Sequence, residues 1–169
     1  MSNLINNLVD FWFNNKNIDS EDYKEILRDA ENGMYLEWLK SPKGFLAHII
    51  LLYCISKMIN NENKQHFINL QKIQMFIHMG LNIYDLTEFS VEEIDLIFTP
   101  FHYLEDKDEY REIIDTLKTN NRNNKFNKII DEHEATYNIL LKFGRLPHLN
   151  EIQRRESTED EIDFLDEFF

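Results

Sequence analysis

The stretch Ser41-Pro42-Lys43-Gly44-Phe45-Leu46-Ala47-His48-Ile49-Ile50-Leu51-Leu52-Tyr53-Cys54-Ile55-Ser56-Lys57-Met58-Ile59 decides the fold. Serine accepts a bond from an orphan amide of a first helical turn, and proline at the first helical position gives up an amide that has no partner there. From Phe45 to Ile55 nearly every residue is apolar, so this helix has no wet face and belongs at the centre of a fold. The apolar run is too short to cross about 30 Å of hydrocarbon. His48 within it is expected to be a core histidine, neutral and bonded to a backbone or side-chain partner. Cys54, between Leu52 and Ile55, is expected to be buried and inert.

Helical signals continue on both sides. Leu4, Ile5, Leu8, Val9, Phe11, Trp12 and Phe13 recur at i, i+3, i+4 and i+7 and predict a first helix. Ser20 before Glu21 and Asp22 predicts a cap for a second, with Tyr23, Ile26, Leu27 and Ala30 inward and Gly33 as its stop. Lys64 to Met79 reads as a helix ended by Gly80. Ser90 and Glu93 match a capping box. Thr99-Pro100 predicts the start of an acidic helix reaching Lys118. Lys125 to Phe143 reads as another, with Ile129, Ile130, Ala135, Ile139 and Leu140 inward. Ser157 or Thr158 would cap a last helix carrying Ile162, Phe164, Leu165, Phe168 and Phe169. No strand-period alternation is long enough to compete.

These elements predict an all-α fold of stacked antiparallel helix pairs, about eight or nine helices around one core. A chain of 169 residues, 43% apolar and 29% charged, fits a single globular domain over 1–169, with an acidic C-terminal helix at about 157–169. Four glycines and three prolines are too few for a sandwich or barrel of short strands. A net charge of −13 repels phosphate backbones, which argues against nucleic acid. One cysteine excludes an internal disulfide and a thiolate zinc site. The first residues carry no basic cluster of a secretory signal, and no membrane span is expected. Cytoplasm, or host cytoplasm if the source is viral, is the expected location.

Few residues look chemical. His133-Glu134 half resembles a zinc-protease helix, but Tyr137 stands where a second histidine is needed, and a solvated helix face is expected. Glu105, Asp106, Asp108, Glu109 and Glu112 are read as an acidic exterior on one helix. No metal or cofactor is called for. No serine elbow, phosphate-cradling loop or dinucleotide fingerprint is present. What remains is Phe143-Gly144-Arg145-Leu146-Pro147-His148-Leu149-Asn150, followed by Arg155. As a structural latch, Gly144 ends a helix, Arg145 pairs with an acid such as Glu105, Asn150 bonds to the backbone and Arg155 bridges helices. As a site, Arg145, His148, Asn150 and Arg155 surround a small anion or a peptide carboxylate, because arginine's planar fork grips two oxygens at once.

The chain resembles the domain-of-unknown-function family 924, an all-helical group with a tetratricopeptide-like fold. The motifs are Val9-Asp10-Phe11-Trp12-Phe13, Gly33-Met34-Tyr35-Leu36-Glu37-Trp38, Ser41 to Ala47, Ile49 to Leu52, Pro100-Phe101 with Glu105-Asp106, and finally Phe143-Gly144-Arg145, Pro147-His148, Asn150 and Arg155-Glu156-Ser157-Thr158. The resemblance implies stacked helix pairs and no established activity. Departures are plain. Tyr53-Cys54-Ile55-Ser56-Lys57 replaces the family's Asp-Gln-Phe-Pro-Arg, and Tyr103-Leu104-Glu105 replaces His-Ser-Glu. Thr136 holds the place of a family histidine, with His133 one turn earlier, and Leu149 replaces an arginine. A polar pocket built from those positions would be half lost here.

The reading is therefore a helical scaffold or interaction module, non-catalytic, with a protein or peptide as partner. The alternative is an enzyme or small-ligand binder with its pocket at Glu105, Arg145, His148 and Asn150. The acidic last helix is expected to dock on the domain.

Overall fold

The Ser41 hydroxyl accepts the Gly44 amide at 3.2 Å and Pro42 takes the first helical position, so α3 (Pro42–Ile49) starts where the sequence predicts. The computed structural model describes residues 2–14, 17, 19–60 and 64–168. Among these, every regular element is helical and no strand occurs. The chain divides into two compact units, residues 1–100 and 101–169.

In the first unit α3 continues through a π-helical turn, Ile50–Ile55, into α4 (Ser56–Asn60). Residues 44–56 are buried without exception. The whole helix Pro42–Asn60 is long and apolar enough to cross a membrane, but 72% of its most apolar window is buried inside the protein. That burial comes from α1 (Ser2–Phe13), α2 (Lys24–Glu31), α5 (Lys64–Leu81) and α6 (Val91–Phe98), which pack on the α3–α4 helix. Each turns a stripe inward: Leu8 from α1, Leu27 and Ala30 from α2, Leu70, Ile73 and Ile77 from α5, Ile94 and Ile97 from α6. Water is excluded from these side chains, and that is the main force holding the unit together. Ser90 and Glu93 form the capping box expected for α6.

Three boundaries differ from expectation. Asp19, not Ser20, accepts the Glu21 amide, and a 3-10 turn, Ser20–Tyr23, precedes α2. α5 runs past Gly80 to Leu81. Gly80 is there for packing, because a Cβ would lie 2.6 Å from the Phe45 ring. Thr99-Pro100 opens only a 3-10 segment, Thr99–Tyr103.

In the second unit Asp106 caps α7 (Lys107–Asn120) by accepting the Asp108 and Glu109 amides. Glu105 and Asp106 therefore precede the helix on which the acidic cluster was expected. α8 (Asn127–Phe143) returns antiparallel to α7. Tyr110, early in α7, stacks on Tyr137, late in α8, at 5.9 Å. Gly144, at φ 75°, ends α8 in the left-handed conformation that glycine adopts without a Cβ clash. α8 buries Ile129, Ile130, His133 and Leu140. Ala135, expected inward, is exposed because it lies about 200° around the helix from His133. The last helix, α9, spans Glu159–Phe168. The expected burial of the Phe168 and Phe169 side chains lies outside the described residues.

Candidate functional site

The 3-10 turn Pro147–Leu149 after Gly144 carries the chain from α8 to the α9 cap and places two arginine–carboxylate clasps. In the first, Arg155 donates to both Glu105 oxygens at 2.8 Å, and Glu105 also accepts the Leu146 amide at 2.7 Å. Burial pushes the Glu105 carboxyl up, but the Arg155 bond, the Leu146 amide and the Arg155 charge outweigh it, and it titrates below its ordinary value. In the second, Arg145 donates to Glu161 at 2.6 and 2.7 Å and to the Glu156 carbonyl at 2.9 Å. The Arg145 bonds lead in holding the Glu161 carboxyl down to about 2, against the cost of its burial.

Arg145 was expected to pair with Glu105, and Asn150 with the backbone. Instead Arg145 takes Glu161, a residue that sequence reasoning did not single out, and the Asn150 amide donates to Ser157 Oγ at 3.0 Å and Glu161 at 3.2 Å. Glu161 lies in the first turn of α9, where it also accepts the Thr158 amide at 2.8 Å while Thr158 Oγ1 accepts the Glu161 amide. Thr158 is thus the cap, and the Thr158–Glu161 spacing is the signal that could have flagged Glu161. α9 is docked through this carboxylate, which is 2% exposed, and through Phe164 on Phe143 at 5.2 Å. Replacing Glu161 with alanine removes all four bonds. Limited proteolysis is then expected to trim residues 157–168 from the variant under conditions where the wild type stays whole. Equal resistance of both would refute this anchoring.

A second polar cluster escaped sequence reasoning. His133, expected on a solvated face, is buried, and its ring stacks on His102 at 4.2 Å and 6°. The Tyr110 hydroxyl lies 3.0 Å from His133 Nδ1. Thr136 donates its proton to the Glu132 carbonyl, so it accepts from His102 Nδ1 at 2.9 Å. Burial first, then the neighbouring His102, lowers His133 to about 3. His102 is also lowered by burial, with the Glu132 charge opposing and half-buried His148 reinforcing. The i, i+3, i+7, i+10 run Ile130, His133, Tyr137, Leu140 was the available signal that His133 faces in. The cluster is a pair of neutral stacked rings, closed by a phenol and a hydroxyl. Beside it, a groove of about 330 Å3 between α7 and α8 is lined by Arg111, Asp115, Lys118, Glu134, Tyr137 and Asn138, and Lys118 pairs with Glu134 at 2.5 Å. None of Glu105, Arg145, His148, Asn150 or Arg155 lines that groove.

In the first unit Ser56 Oγ lies 3.3 Å from His66 Nδ1, a superficially dyad-like pair. Ser56 is fully buried, however, and Asn69 donates to it at 2.9 Å and to Glu31 at 2.7 Å, so the cluster ties α4, α5 and α2 together. Cys54 is buried, as expected, and burial pushes its thiol up. His48 is buried too, but neither ring nitrogen has a hydrogen-bond partner among the described residues, against the expectation of a satisfied ring. An apolar groove of about 500 Å3 in this unit is lined by Leu36, Leu39, Lys40, Phe76, Met79 and Ile83.

The family model described as "Bacterial protein of unknown function (DUF924)" matches residues 5–168. The chain belongs to this family. The resemblance carried by the sequence motifs is thereby borne out. This family member is also similar in structure to a protein of unknown function, ATU0120, from Agrobacterium tumefaciens, with TM-score 0.81 and 20% identity over 98% of each chain. That likeness is one of fold. No curated protein matches the chain.

Proposed function

We propose that this DUF924 member is a helical interaction module whose docking surface is the apolar groove of the first unit, and that its partner is a basic amphipathic helix of another protein. One observation carries the reading. Leu36, Met79 and Ile83 are 45, 50 and 63% exposed and share one groove with Leu39 and Phe76. Contiguous apolar surface of this kind is disfavoured in water and marks interaction sites. A groove of flexible Met79 beside the Phe76 ring suits the apolar face of a helix. Ile68, Met75 and Met79 extend an exposed apolar stripe along α5. The net charge of −13 supplies attraction for a basic partner. Stacked helix pairs of the tetratricopeptide type expected from the sequence commonly work in this way, an argument from fold analogy alone. A cytoplasmic, reducing setting suits the single buried thiol.

The alternative pocket at Glu105, Arg145, His148 and Asn150 finds less support. Arg145 and Arg155 spend their forks on the protein's own carboxylates, and a ligand would have to displace bidentate bonds of 2.6–2.8 Å.

Calorimetry with a synthetic leucine–lysine peptide, its leucines at helical spacing, tests the docking reading. Micromolar affinity is expected for the wild type. A double variant, Met79→Glu with Ile83→Glu, should bind at least 10-fold more weakly although it is more acidic. Charge attraction alone would make it bind more tightly, and that result, or no binding by the wild type, would overturn the reading.

A further inference from the structure

The groove between α7 and α8 offers about 330 Å3, at the small end of the volumes that metabolite-sized ligands occupy. Part of its lining is apolar: Ile114 is buried, and the half-buried Tyr137 ring is backed by Tyr110. Its charges lie in order along α7. Lys118 pairs with Glu134 of α8 at 2.5 Å and closes one end. One turn back along α7 from that bridge is Asp115, and one turn further back is Arg111. Opposite charges four residues apart on a helix ordinarily meet. Arg111 and Asp115 do not. Among the described residues neither side chain makes an ion pair or a hydrogen bond, and the same holds for Asn138 across the groove. Two opposite charges thus line one cavity, and neither is answered by another described residue.

We propose that this groove binds a free α-amino acid with an apolar side chain, its carboxylate on Arg111 and its ammonium on Asp115. Simpler ligands fit less well. A phosphate or a lone carboxylate would gain Arg111 but meet the Asp115 charge. A metal cation would find one uncommitted carboxylate, because Glu134 is held by Lys118, and Arg111 would repel it. An uncharged ligand would leave both ions unanswered. A zwitterion satisfies both at once. Its two charged groups hang from one carbon, within reach of two side chains whose backbones stand about 6 Å apart along the helix axis. The planar guanidinium grips both carboxylate oxygens, while the Asp115 carboxylate and the Asn138 carbonyl oxygen accept from the ammonium. Ile114 and Tyr137 receive the ligand's side chain. The Lys118–Glu134 bridge is already neutral as a pair, so a charged side chain would find no free partner there. This site belongs to the second unit and is independent of the docking groove in the first.

NMR titrations of the full chain with L-leucine, isocaproate and isoamylamine test the assignment. The second probe is leucine without its ammonium, and the third is leucine without its carboxylate. L-Leucine is expected to bind about 10-fold more tightly than either analogue, the worth of one charge-assisted bond, with the largest shifts at Arg111, Ile114 and Tyr137. Arg111 and Asp115 are exposed, so substitutions there keep the fold. Arg111→Gln should weaken L-leucine and isocaproate and leave isoamylamine no weaker. Asp115→Asn should do the reverse, weakening L-leucine and isoamylamine and sparing isocaproate. Failure of L-leucine to bind, equal binding of the three probes, variants that weaken all three alike, or shifts centred on Met79 and Ile83 would overturn the site.

Discussion

Acidification from about pH 6.5 to pH 4.5 is expected to remove about 5 kcal/mol of folding stability, well before most carboxylates are protonated. The cause is two buried rings. Burial lowers His48 to about 4 and, with the neighbouring His102, His133 to about 3. Above an unfolded value of about 6.5 both states hold these rings neutral, and stability is flat. Below it the unfolded chain takes up protons that the folded chain refuses. Each ring then costs about 1.4 kcal/mol per pH unit until its folded value is reached. His102, lowered in the same direction, adds to the slope. Below about pH 4.5 the Glu161 carboxyl, held near 2 in the fold, begins to lose its own contribution as it too is protonated in the unfolded chain. Since a whole domain rarely exceeds about 15 kcal/mol, the effect is large. Urea melts at half-unit steps from pH 7.5 to pH 4.5 measure it. His48→Leu should flatten the slope by nearly half, and a wild-type profile level down to pH 5 would refute the account.

Gly44→Ala is expected to lower stability by about 3 kcal/mol, opposite in sign to helix propensity, which favours alanine over glycine by about 1 kcal/mol. Gly44 is the third residue of the first turn of α3. A Cβ there would overlap the Trp38 carbonyl oxygen and lie 2.8 Å from Ser41 Oγ. The carbonyl is backbone and cannot swing aside, and the Ser41 hydroxyl is the cap that holds the Gly44 amide. The helix must therefore lift off the Leu36–Lys40 segment or lose its cap, and either shift disturbs the groove wall. Thermal melts should show a midpoint about 10 °C lower for a chain of this size. A variant as stable as the wild type would show that the close approach is not real.

Signals confined to a few neighbouring residues were legible in the sequence. The Ser41-Pro42 start, the Ser90–Glu93 box, the Gly33 and Gly144 stops and the buried run around Leu51 depend only on local geometry and hydropathy. What failed to show was pairing at a distance. Arg145 has several acids within reach along the chain, and nothing local says that Glu161, sixteen residues on, will outcompete Glu105. His133 looks solvated when polarity is set above spacing, although Ile130 and Leu140 mark the buried face it shares. The Thr99–Tyr103 segment carries the same serine/threonine-then-proline start as α3, yet the helix waits for Asp106, whose carboxylate accepts two amides at once. Exposed orphans such as the Met79–Ile83 patch are legible only once a fold shows which apolar residues lack a cover.

The π-turn at Ile50–Ile55 has a consequence for register. Such a turn holds one residue more than the α-turn it replaces, so everything beyond it is rotated by about 100° relative to a straight helix. That rotation brings Ser56 inward to Asn69 and leaves Lys57 and Met58 facing water. In the language of sequence alignment, the helix carries an insertion inside itself. A straight-helix relative would be one residue shorter between Phe45 and Ser56, and the two interiors would fall out of step mid-helix, where no loop announces the gap.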